Sequence, residues 1–145
     1  GAVSIDASDW YYDQQYRKLL SRGVNSKITL LREAYLAHLW DRATYYNELS
    51  TTVLSRQIDH VLLLHVNAIN AAFLGDVVAM FNDKGWSIIS PEMAYQDPVY
   101  QSQTNVLPAG ESILWSLAKL QGIAGLRYPA EDSRYEKAKL EALLL

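Results

Sequence analysis

Apolar residues recur every three to four positions over much of the chain, the spacing of helices that bury one stripe. Over 11–22, Tyr12, Tyr16, Leu19 and Leu20 keep that spacing, with the polar cluster Asp6-Ala7-Ser8-Asp9 ahead to cap it and Gly23 to close it. Ser26 reads as the next N-cap, and over 28–54 the series Leu31, Tyr35, Leu39, Tyr46, Leu49 and Val53 runs without Pro or Gly, predicting one long amphipathic helix. A further helix is expected over 68–84, with Phe73, Val77, Met80 and Phe81 on one face and Gly85 as its stop. Ser90-Pro91-Glu92 caps a short helix that Asp97-Pro98 ends, and helices over 109–120 and 132–143 complete the pattern.

Three stretches read differently. Residues 2–6 form a short apolar run. Val61-Leu62-Leu63-Leu64, between His60 and His65, is a continuous apolar run of the kind found in strands buried on both faces, and 86–89 is a third candidate strand. Strands alternating with helices predict an α/β fold with a few parallel strands. The chain reads as a single domain over 1–145, with a first strand whose edge something must cover. In such folds catalytic groups gather at the C-terminal ends of strands, and two expected strand ends carry chemistry: Asp6 to Trp10, and His65-Val66-Asn67.

Composition narrows the function classes. A net charge of −3 with interspersed signs offers no basic stripe for a phosphate backbone, so nucleic acid is not an expected partner. No apolar run reaches membrane-spanning length, and no signal-like segment opens the sequence. With no cysteine, thiolate metal sites and thiol catalysis are excluded. Ten Tyr and four Trp supply rings with a polar edge, suited to stacking on sugars and equally to ordinary packing.

Asp6-Ala7-Ser8-Asp9-Trp10 resembles the Asp-x-x-Asp-Trp motif of the polysaccharide deacetylases, the family with the NodB-type domain, and Leu62-Leu63-Leu64-His65 resembles their Leu-x-His motif. The order is the family's order. The stretches Asp97-Pro98-Val99-Tyr100, Leu107-Pro108-Ala109-Gly110-Glu111-Ser112 and Arg127-Tyr128-Pro129-Ala130-Glu131-Asp132 are similar to the C-terminal region of a bacterial subgroup, so the likeness covers nearly the whole chain. It implies the C-terminal part of a distorted (β/α) barrel.

It also implies a reaction, the hydrolysis of an N- or O-acetyl group on a polysaccharide by a metal-activated water. His65 matches the general acid for the leaving group, Asp9 the carboxylate that orients it, and Trp10 and Leu63 the wall of the acetyl pocket. Leu63 and His65, two apart, leave a strand on the same face. His38 and His60 read as structural. The family's divalent metal, zinc for example, is held by an Asp and two His from earlier motifs. This chain has no Asp-Asp pair, no His-x-x-x-His and no Arg-Pro-Pro, so none of the metal ligands is expected in it. The isolated chain is therefore expected to be inactive, its missing N-terminal half or a second copy covering the sheet edge. The resemblance points to a periplasmic or secreted location. The alternatives are a non-catalytic carbohydrate-binding domain and a self-associating α/β scaffold.

Overall fold

A computed structural model of the chain describes residues 1–108, 111–127 and 133–144. Among these the helices are α1 (Asp9–Ser21), α2 (Ile28–Leu54), α3 (Ala68–Asp83), α4 (Pro91–Ala94), α5 (Ile113–Leu120) and α6 (Arg134–Leu144), with 3-10 turns at Asn25–Lys27 and Pro98–Gln101. The expected starts of the last two helices, Ala109 and Asp132, and the 128–132 part of the last motif lie outside the described residues. No helix among those described is long and apolar enough to cross a membrane.

The fold is helical, and the α/β expectation, with its C-terminal part of a NodB-type barrel, is overturned. Helix accounts for 63% of the structure, and the pairing that replaces a sheet is an isolated parallel bridge between Ile5 and Leu62. The reason lies in what a strand needs besides an apolar run. Val61, Leu62, Leu63 and Leu64 are only half-buried, so they are not sandwiched between two layers. The bonds between the two stretches are few: the Ser4 and Ile5 N–H groups donate to Val61 O, Leu63 N–H to Ile5 O, and Val61 N–H to the Ser4 hydroxyl. They make a single bridge and do not extend into a ladder. The 86–89 stretch has no strand partner either, and Ile88 stands exposed. Among the described residues there is no sheet, hence no sheet edge for a second copy to cover, and Leu63 and His65 do not share a strand face.

The chain packs as two compact units. One comprises Gly1–Asp6, Asp41–Leu63 and Ile89–Ala130 and includes the second half of α2 with α4 and α5. Its buried apolar side chains include Ile5, Ala43, Tyr46, Leu49, Val99, Ile113, Leu114 and Ala118. Arg42, Asp6 and Glu111 are buried in this same unit. All three bear on one phenol, since burial and then the Asp6 carboxylate push the Tyr46 hydroxyl well above the tyrosine range, with Arg42 opposing and Glu111 adding.

The buried Ser4 hydroxyl is the polar centre of this unit. It accepts from Val61 N–H (2.9 Å) and lies 3.0 Å from the Tyr100 hydroxyl, which also donates to Asp59 O (2.7 Å), and 3.0 Å from His60 Nδ1. The opposite ring nitrogen, Nε2, lies 3.2 Å from Asn47 Oδ1, so both ring nitrogens of His60 are engaged within this unit. Burial pushes His60 down to about 4, against smaller raising effects of Asp59 and Asp97. Because its folded value lies below the unfolded one, the unfolded chain takes up the extra proton. Stability is therefore expected to fall as pH drops from about 6.5 towards about 4, by roughly 3 kcal/mol from this group. Urea unfolding of the natural chain and of His60→Gln across that window tests this, the variant losing less on acidification. Parallel curves would show that His60 is not the group responsible.

The other unit comprises Ala7–Trp40, Leu64–Ile88 and Glu131–Leu145, with α1, the first half of α2, α3 and α6. Here part of the helical periodicity becomes burial, while Leu20 stands exposed and Tyr16, Phe73 and Met80 are half-buried. Tyr12 and Leu19 of α1, Leu31, Tyr35 and Leu39 of α2, and Ile69, Val77 and Phe81 of α3 are all buried. Gly23 (φ 65°) and Gly85 (φ 83°) take the left-handed conformation that lets the following residue reach back. Val24 N–H donates to Leu19 O at 3.0 Å and Trp86 N–H to Phe81 O at 2.9 Å, closing α1 and α3. His38, on the buried side of α2, accepts from Ser8 N–H at 3.0 Å through Nε2 and lies 3.6 Å from Glu136 through Nδ1.

Candidate functional site

The site grows from two helix beginnings within the second unit. A helix N-terminus presents N–H groups without helical acceptors, and an acidic side chain nearby meets both those donors and the positive end of the helix dipole. At α3, Asn67 is the N-cap, its Oδ1 accepting from Asn70 N–H at 3.0 Å. Asp13 of α1 reaches the same end and accepts from Ile69 N–H at 3.0 Å. Asp9 lies one helical turn before Asp13, hence on the same face of α1.

Asp9 is completely buried and four donors address its two oxygens. Oδ1 bonds His65 Nδ1 at 2.7 Å. Oδ2 accepts from His65 N–H at 2.8 Å, Asn67 Nδ2 at 3.0 Å and Asn70 Nδ2 at 2.8 Å. A buried carboxylate so surrounded is compensated in the way that makes buried charge tolerable. Since the carboxylate can only accept, His65 carries its proton on Nδ1, and Nε2 becomes the ring atom that gives or takes a proton. The His65 side chain is half-exposed, so this happens at the surface of the unit while the orienting charge stays inside.

Tyr35 completes the surroundings. Its hydroxyl donates to Asn70 Oδ1, and burial followed by the Asp9 charge pushes it far above the ordinary tyrosine range. It therefore stays protonated, and a donor, through the neutral range.

Of the four residues singled out from the sequence, the structure joins Asp9 and His65 directly. Trp10 follows Asp9 in the first turn of α1, half-buried, its ring edge-on to Tyr11 at 5.7 Å between centroids. Leu63 belongs to the other unit, half-buried and with its N–H bonded to Ile5 O. Sequence reasoning missed Asn70 and Tyr35. A signal for Asn70 exists: it is the one amide among Ala68, Ile69, Ala71, Ala72 and Phe73, where an apolar helix start has no other use for it.

Among the described residues no group of three or more His, Asp or Glu side chains is placed to hold a metal ion. Within the protein His38 is bonded to Ser8, His60 to Ser4 and Asn47, and His65 to Asp9.

No family model, curated protein or solved structure matches this chain.

Proposed function

We propose that this chain supplies the proton-donating side of a hydrolase that removes acetyl groups from a polysaccharide. The reading is carried by one observation, the 2.7 Å bond from His65 Nδ1 to the fully buried Asp9 carboxylate. In hydrolysis of an acetyl ester or amide, water adds to the carbonyl carbon and the tetrahedral intermediate must expel an alkoxide or an amine. Neither leaves readily without a proton. His65 as imidazolium donates from Nε2 to that leaving oxygen or nitrogen, while Asp9 remains ionised and holds the ring, the role of the third member of a nucleophilic triad. Acetate and the free hydroxyl or amine are the products. The residues that activate water are not among those described, so in this proposal they belong to other parts of the protein that carries this segment. The motif resemblance at Asp9-Trp10 and Leu63-Leu64-His65 supports acetylated glycan as the substrate, with Trp10 the residue nearest in sequence for stacking on it.

The test is acetate release from acetylated chito-oligosaccharides, acetylated xylan and acetylated peptidoglycan, with divalent cations added. The 145-residue chain alone is expected to release none. The natural polypeptide carrying this segment is expected to release acetate from one of them, and His65→Asn should lower that rate about 100-fold. Release by the natural polypeptide that His65→Asn leaves unchanged, or no release from any of the three, overturns the proposal.

A further inference from the structure

We propose that Asn70 is a positioning residue that sets the tautomer and direction of the His65 ring, a role that rests on the reading of His65 and Asp9 as a proton-transferring pair. The amide is buried and every polar atom of it is used. Nδ2 donates to Asp9 Oδ2 at 2.8 Å and to the His65 carbonyl at 2.9 Å, while Oδ1 accepts from the Tyr35 hydroxyl. The orientation is forced. A flipped amide would set its oxygen against a carboxylate and a carbonyl, both acceptors, and its NH2 against a phenol that donates.

The consequence is a closed circuit around His65. Its N–H is held by Asp9, its C=O by Asn70, and its ring by Asp9 again, and the two residues that hold it are bonded to each other. The backbone of His65 is thereby fixed relative to the carboxylate that receives Nδ1–H, and with both fixed Nε2 has one direction. A plainly structural role would lie in capping α3, but the Asn70 and Ile69 N–H groups there are taken by Asn67 and Asp13. The Asn70 side chain is directed instead at the pair.

Imidazole nitrogen resonances of the 145-residue chain, recorded at a pH where His65 is neutral, read the ratio of its two tautomers directly. The natural chain is expected to show a strong excess of the Nδ1–H form. In Asn70→Ala, with the backbone amide spectrum still that of a folded chain, that excess should fall about tenfold, the worth of a hydrogen bond to a charged group, while His38 and His60 keep theirs. Asn70→Ser, which retains one donor, should fall between the two. If alanine prevents folding, the serine variant decides by itself. A natural chain without the Nδ1–H excess sinks the His65–Asp9 pairing and the role of Asn70 with it. An excess that survives substitution in a folded variant sinks the role of Asn70 alone and leaves the pairing standing.

Discussion

Replacing Asp9 with alanine is expected to destabilise the chain by about 3–5 kcal/mol, more than a typical core truncation of the same size. The methyl group that remains fills part of the space but accepts nothing. His65 N–H, one hydrogen each of Asn67 Nδ2 and Asn70 Nδ2, and the ring Nδ1–H all lose their acceptor together. Asn70 is buried, and a buried donor left without a partner carries the full penalty of its desolvation. Asp9→Asn keeps the shape and one acceptor but turns an NH2 group towards donors. It should cost less, and it should drive His65 to the opposite tautomer, since an amide nitrogen facing Nδ1 needs a lone pair there. Denaturant unfolding with the midpoint and slope both fitted measures the first effect, and imidazole resonances the second. Asp9→Ala within about 1 kcal/mol of the natural chain would mean that the carboxylate is not the hub its hydrogen bonds describe.

Arg42→Met is the second change with a large expected effect, again about 3–5 kcal/mol. Methionine replaces much of the apolar stem, so the loss is mainly of charge. Arg42 is 2% exposed, and Asp6 and Glu111 are buried in the same unit and act on the same Tyr46 hydroxyl. Removing the one cation among them raises the electrostatic cost of the two buried carboxylates. The triple change Arg42→Met, Asp6→Asn, Glu111→Gln removes all three charges and should recover part of the loss, because no buried charge of the three is then left to be compensated. A single substitution as damaging as the triple one would point to packing of the arginine stem instead of charge. Thermal unfolding of the natural chain, Arg42→Met and the triple variant side by side distinguishes the two.

Helices were legible because their causes are local. The long stripe from Leu31 to Leu49 on α2 needs only its own 3.6-residue repeat, and it emerges buried at Leu31, Tyr35, Leu39, Tyr46 and Leu49. Gly23 and Gly85 end their helices by their own φ angles, and Ser90 caps α4 by accepting from Met93 N–H. The apolar run 61–64 misled for the converse reason. A strand exists only if another segment offers it a ladder, and here 4–5 and 61–63 are joined by one bridge and a serine hydroxyl.

The site divides along the same line. Legible in the residues alone were a polar cluster from Asp6 to Asp9 ahead of a helix, and a histidine, His65, preceded by an apolar run and followed by a helix from Ala68. Packing brought residues 56 apart in sequence together as Asp9 and His65 at 2.7 Å. It also made Asn70, marked in the sequence as a lone amide, and Tyr35, marked there as a core position, close the network, and it put Leu63 in the other unit. The physical reason is range. Propensity, capping and periodicity act within a turn or two, whereas a buried carboxylate finds its donors only when α1 and the start of α3 have packed and excluded water from around it.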